Sequence, residues 1–157
     1  MIPFSVLAAA KAFLCWDGID HLGIQLVPLR SAVAYYYPPG NQHHAIVVFY
    51  DPASRDFSEP FFLLFHEAGH ARQWVQLHAV NRADYFQKMM NADRGQEKMA
   101  FEREAWDSGR QLLEEFLYRE QLSPTLTAHY DLYARASLLT YDDPEDRRGY
   151  HDKAHPE

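Results

Sequence analysis

The run Phe61-Phe62-Leu63-Leu64-Phe65-His66-Glu67-Ala68-Gly69-His70-Ala71-Arg72-Gln73-Trp74 constrains this chain more than any other stretch. His66 and His70 stand four apart, so on an α-helix they lie one above the other on a single face. Two imidazole nitrogens can then reach one metal ion, and His-Glu-x-x-His is the spacing of a zinc site. Glu67, next to the first histidine, can bring its carboxylate to water at that metal without ligating. The apolar run ahead of His66 would anchor the helix in a core and hold the imidazoles still. Gly69 is the weak helix former here, costing ~1 kcal/mol relative to Ala, and its missing side chain leaves room for a close-packed neighbour.

A chain of 157 residues is long enough to bury a core around such a helix as one domain. Apolar residues at 47% and charged ones at 24% are ordinary for a globular protein. The aromatic share of 15% suits a compact core and a cleft lined by rings. A net charge of −7 provides no basic footprint for nucleic acid, and it favours basic or neutral substrates. The lone cysteine, Cys15, excludes an internal disulfide and points to a reducing, cytoplasmic setting. It lies in the apolar run Ala12–Trp16 and reads as buried filler. The apolar start, Met1 through Trp16, lacks a basic region ahead of it and is interrupted by Lys11, which predicts a helix of the domain rather than a signal peptide. No uncharged apolar run is long enough to span a membrane.

Along the chain, residues 3 to 15 carry helical spacing and Asp17-Gly18 breaks it. From Leu22 the pattern turns to β, with Ile24, Leu26 and Val27, then Ala32 to Tyr37. Pro38-Pro39-Gly40-Asn41 is a turn, and His44 to Tyr50 is the clearest strand. His43-His44 reads as an exposed pair at its start. Ser58 or Glu59, with Pro60 at an early helical position, opens the motif helix, expected to reach about Leu77. A short helix over 82–91 and a long one over Gln96–Arg119 follow. Ser123-Pro124 then starts a last helix, to about Leu139. The charged stretch from Tyr141 to Glu157 reads as a loosely ordered tail. Strands first and helices after define an α+β class with a small antiparallel or mixed sheet.

A catalytic zinc takes three protein ligands and keeps an open position. A third histidine ten residues after the first would fall at Gln76, and the glycine that accompanies it at Gln73, so that arrangement fails. The alternative is a glutamate from the long downstream helix, where Glu102 and Glu104 compete. Two positions apart, they point about 200° away from each other. Glu102 shares its face with Ala105, Trp106, Gly109, Leu113 and Phe116, the core-facing stripe. Glu104 shares the solvated face of Asp107, Ser108, Gln111 and Glu115. A carboxylate on the buried stripe needs a compensating charge, which a zinc ion provides. Glu102 is therefore the expected ligand and Glu104 the reserve.

The combination of His66-Glu67-Ala68-Gly69-His70 with Glu102-Arg103-Glu104-Ala105 resembles the short gluzincins, the ImmA/IrrE-like metallopeptidases most closely, with the CAAX-protease/HtpX group as a relative. The resemblance covers roughly residues 44 to 117. It implies a minimal zincin-like domain, a sheet packed on the motif helix and a second helix bearing the glutamate. It further implies Zn2+ held by His66, His70 and Glu102, with Glu67 as general base in peptide-bond hydrolysis. It also implies that His44–Tyr50 is an edge strand along which a peptide or protein substrate lies. Trp106 departs from the family pattern, standing where Asp or Asn would orient a ligand histidine. His129, Tyr130, Tyr133, Tyr141 and Tyr150 are all candidates for stabilising the oxyanion, and spacing selects none. The competing expectation is a non-catalytic binding module that keeps the fold with or without its metal; Trp106 favours it and the intact Glu67 favours the enzyme.

Overall fold

The computed structural model describes residues 1–40 and 43–141. Helix α1 (Phe4–Phe13) buries Leu7, Ala10 and Phe13, then loosens into a π-turn over Leu14–Gly18. Cys15 in that turn packs half-buried against the core, and burial pushes its thiol up. Strands β1 (Leu22–Pro28), β2 (Val33–Tyr37) and β3 (His44–Tyr50) follow. The helices α2 (Ser58–Ala79), α3 (Ala83–Asn91), α4 (Gln96–Arg119) and α5 (Thr125–Leu138) complete the order, with a 3-10 turn over Leu139–Tyr141. The class is α+β, and the elements start and stop within a few residues of the expected positions. The expected tail beyond Tyr141 lies outside the described residues. Among the described residues no helix is long and apolar enough to cross a membrane.

The sheet is mixed, in the order β1-β3-β2, with β1 parallel and β2 antiparallel to β3. This corrects the expectation that His44–Tyr50 is an edge strand. It is the central strand, and both of its sides are hydrogen-bonded to neighbours. Its run Ala45-Ile46-Val47-Val48-Phe49 holds no proline or charged residue, as fits a strand paired along both edges. Along β3, burial alternates, with His44, Ile46 and Val48 facing inward. Ala34 and Tyr36 of β2 and Leu22 and Ile24 of β1 join them. Helix α2 lies against this inner face, on β2 and β3.

Pro60 sits in the first turn of α2, where its missing N–H has no intrahelical acceptor to lose. Just ahead, Asp56 accepts hydrogen bonds from the Ser58 side chain and backbone and from the Ile2 backbone, tying the chain start to the motif helix. Helix α4 crosses α2 at very close range, and two glycines permit it. A Cβ at Gly69 would overlap the Ala105 carbonyl oxygen, and one at Gly109 would overlap the Phe65 carbonyl oxygen and the Tyr130 hydroxyl. Around this crossing Phe61, Phe65 and Phe116 pack ring to ring. The crossing places one face of α4 directly over the His66–His70 face of α2.

Candidate metal centre

Because α2 is helical through the motif, His66 and His70 stack one turn apart, with ring centroids separated by 4.6 Å. From α4, Glu102 enters between them: its Oε2 lies 3.2 Å from His66 Nε2 and 3.3 Å from His70 Nε2. Both histidines and Glu102 are buried, and their ligand atoms all fall within 4.8 Å of one another, close enough to hold one metal ion. Glu104, by contrast, is exposed on the outer side of α4. It accepts a hydrogen bond from the Gln73 side-chain amide, at 3.3 Å. Gln76, the position of the rejected third histidine, is exposed as well.

Each imidazole is held flat by an aromatic residue of α4. His66 stacks on Trp106, with centroids 4.0 Å apart and planes 16° from parallel, and His70 lies on Phe101 at 5.3 Å and 26°. Trp106, which stands where an acid was expected, therefore orients His66 through its face rather than through a hydrogen bond. Asp107 does not substitute for that acid, since it points to solvent. His66 Nδ1 is buried and has no protein partner among the described residues.

His70 is oriented differently. Its Nδ1 lies 2.9 Å from Gln73 Oε1, while Gln73 Nε2 donates to the Phe101 carbonyl at 2.8 Å and to Glu104. Both of those partners are acceptors, so the amide nitrogen must face them and the amide oxygen must face His70. His70 then carries a proton on Nδ1, which leaves Nε2 as the lone-pair donor toward the cluster. Gln73 was noticed in the sequence only as a missing glycine. Its place three residues after His70 was the available signal.

The electrostatics favour a positive charge beside the Glu102 carboxylate. Burial acts to raise the Glu102 carboxyl, but the His66 and His70 imidazoles beside it outweigh this and hold it well below the usual carboxylate range. Burial also acts against a charge on His70, yet the neighbouring Glu102 carboxylate, with Glu67 and Gln73, raises it. His66 is lowered, because burial prevails over the same carboxylates. Among the described residues Glu102 Oε2 has no hydrogen-bond donor, and it is aimed at two ring nitrogens. Three lone pairs converging in a buried space repel unless a proton or a cation sits among them. Two imidazoles and a carboxylate are a donor set that suits zinc and other first-row divalent ions.

Glu67 is buried beside the cluster, and its carboxylate makes no hydrogen bond among the described residues. Lys98, which sequence reasoning missed, bonds the other Glu102 oxygen; its spacing of four residues ahead of Glu102 on the same helix could have revealed it. Of the oxyanion candidates, His129 is exposed on α5. Tyr130 donates to the Trp106 carbonyl at 3.1 Å, and Tyr133 to Glu59 at 3.0 Å. Tyr150 lies outside the described residues. Tyr141 lies by the cluster, its ring 5.5 Å from the Lys98 ammonium, and burial with the charges of Glu102 and Glu67 pushes its hydroxyl up. The expected exposed pair His43-His44 is half right. His43 is exposed, but His44 is buried and shares a 2.7 Å hydrogen bond between its Nδ1 and the Tyr36 hydroxyl. Burial lowers His44 and raises Tyr36. Comparison with family models, with curated proteins and with solved structures finds no match to this chain.

Proposed function

We propose that this chain is a zinc-dependent peptidase of the short gluzincin kind, with His66, His70 and Glu102 as ligands. The observation that carries this reading is Glu102 Oε2, buried without a donor among the described residues and aimed at both Nε2 atoms from a separate helix. When bound there, zinc would supply Lewis-acid polarisation of a carbonyl and lower the pKa of water to about 7.

The chain's own groups do the rest. Glu67, free of protein partners among the described residues, accepts the proton of the attacking water and delivers it to the leaving nitrogen. Tyr141, beside Glu102 and Glu67, donates its hydroxyl proton in a hydrogen bond to the carbonyl oxygen as charge grows there. The substrate backbone adds to β2, which lies on α2 and has an outer edge paired with no strand among the described residues, rather than to the enclosed β3.

Metal content of the tag-free protein tests the site. A one-to-one ratio of zinc to protein, lost in His66→Ala and Glu102→Ala, is expected; no zinc after reconstitution would overturn the reading. Catalysis is tested by following new N-termini in a denatured protein mixture by mass spectrometry. Glu67→Gln should retain zinc and abolish cleavage, while Tyr141→Phe should lower kcat about 10²–10³-fold. The second reading, a metal-stapled binding module, is favoured by the depth of the cluster, with His70 and Glu102 each 2% exposed. Zinc retention with no cleavage by the wild type would select it.

A further inference from the structure

The two oxygens of Glu102 face different partners. Oε2 points at the imidazoles, and Oε1 receives the Lys98 ammonium at 2.7 Å. Lys98 is itself buried and donates a second bond to the Met89 carbonyl at 2.8 Å, in the last turn of α3. The rings of Phe101 and Tyr141 each lie 5.5 Å from its nitrogen and box it in. This is an expensive place for a cation. It lies in the first turn of α4, where the helix dipole disfavours positive charge, and it is out of water. What compensates it is the Glu102 carboxylate and the carbonyl-rich end of α3. Helix propensity and core packing would both be served as well by an apolar residue, so the lysine's distinctive contribution is its hold on Oε1.

We propose that Lys98 is a positioning residue that reserves Oε1 and so makes Glu102 a one-oxygen metal ligand. A carboxylate free to turn can offer both oxygens and occupy two positions of a metal's sphere. With Oε1 taken, Glu102 occupies one, and with two imidazoles the fourth position of a four-coordinate site stays open. The inference rests on the metal-site reading above.

The test uses Co2+ alone, titrated into metal-free wild type, Lys98→Met and Lys98→Arg. Four-coordinate Co2+ absorbs visible light much more strongly than five- or six-coordinate Co2+. The wild type should show the intense spectrum. In Lys98→Met the absorption per bound ion should fall severalfold while Co2+ still binds, since a repelling cation is gone. Lys98→Arg, which keeps a donor for Oε1, should restore intensity toward the wild-type level. A merely structural lysine would behave otherwise: its loss would weaken Co2+ binding and leave the spectrum of each bound ion unchanged, which overturns the inference while the metal site stands. A wild type that binds no Co2+ would remove the metal site itself, and the inference with it.

Discussion

Helix α4 carries two ion pairs with the same spacing and the same length. Lys98–Glu102 and Arg110–Glu114 are both four residues apart, and both measure 2.7 Å. The side chains of the first pair are 6% and 3% exposed, those of the second 39% and 48%. Geometry is therefore equal and solvent is not. In the buried pair each charge has been taken out of water, and neither is tolerable without its partner and the neighbouring His66, His70 and Met89 groups. In the exposed pair, water and salt already solvate both groups, and Arg110 holds Asp131 as well, at 3.0 Å. A distance identifies a contact, but burial decides what removing it costs.

The sharpest way to break this comparison is to delete the buried carboxylate. In the presence of chelator, Glu102→Ala leaves Lys98 as an unpaired buried cation. It should destabilise the fold by about 3–5 kcal/mol in urea unfolding. With zinc present, the loss of a ligand adds to this. A cost no larger than that of an exposed substitution would mean that Lys98 escapes to water, and burial would no longer explain the pair. Next in size is the seam that creates the burial. Gly69→Ala drives a methyl into the Ala105 carbonyl, so α2 and α4 must separate. About 1–3 kcal/mol should be lost, and zinc should bind more weakly because Glu102 withdraws from both histidines. Unchanged zinc affinity would show that the cluster does not depend on the close crossing.

A smaller effect probes the buried pair through pH. Glu102 has a folded value held below its ordinary 4.5. A depressed carboxyl stabilises the fold above its unfolded value, and that contribution is lost as pH falls through the folded one. His70, raised from 6.5, contributes in the opposite sense: fully below 6.5, and lost as pH rises through its folded value. In chelator, the wild-type melting temperature should thus fall more steeply than that of Glu102→Gln as pH drops below about 4.5. Parallel curves, measured by circular dichroism, would remove Glu102 as the acid-sensitive group.

What could be read in the sequence follows the range of the interactions. The faces of α2 and α4 are set by local periodicity, so the placement of His66 with His70 and of Glu102 on the buried stripe could be argued from spacing. The need for a close neighbour at Gly69 followed from its missing Cβ. The order of the sheet was not legible in the same way, because the pairing of β1 with β3 joins segments separated by β2 and no local pattern demands it. With β3 at the centre, His44 turns inward to Tyr36, which the exposed-pair reading missed. Gln73 and Lys98 stand at visible helical offsets from His70 and Glu102. Yet those offsets occur throughout any helix, and only the crossing of α2 and α4 buries these two. Trp106 marked a departure from a pattern; that it stacks on His66 depends on a rotamer the chain does not spell out.

The smallest expected effect closes the comparison from the other side. Glu114→Ala removes the partner of Arg110 but leaves Asp131 bound to the same guanidinium, and both groups remain in contact with solvent. Its cost should stay within about 0.5 kcal/mol at low salt. The cost should shrink further as ionic strength rises, because screening acts on exposed charges far more than on buried ones. The Glu102→Ala cost, measured at the same two salt concentrations, should hardly move. Two glutamates on one helix, each four residues from its cation, would then differ in both magnitude and salt dependence. If Glu114→Ala matched Glu102→Ala in both respects, the helical spacing alone would set the strength of each pair. Lys98 would then be one more i,i+4 partner, with no special hold on the carboxylate at the candidate metal centre.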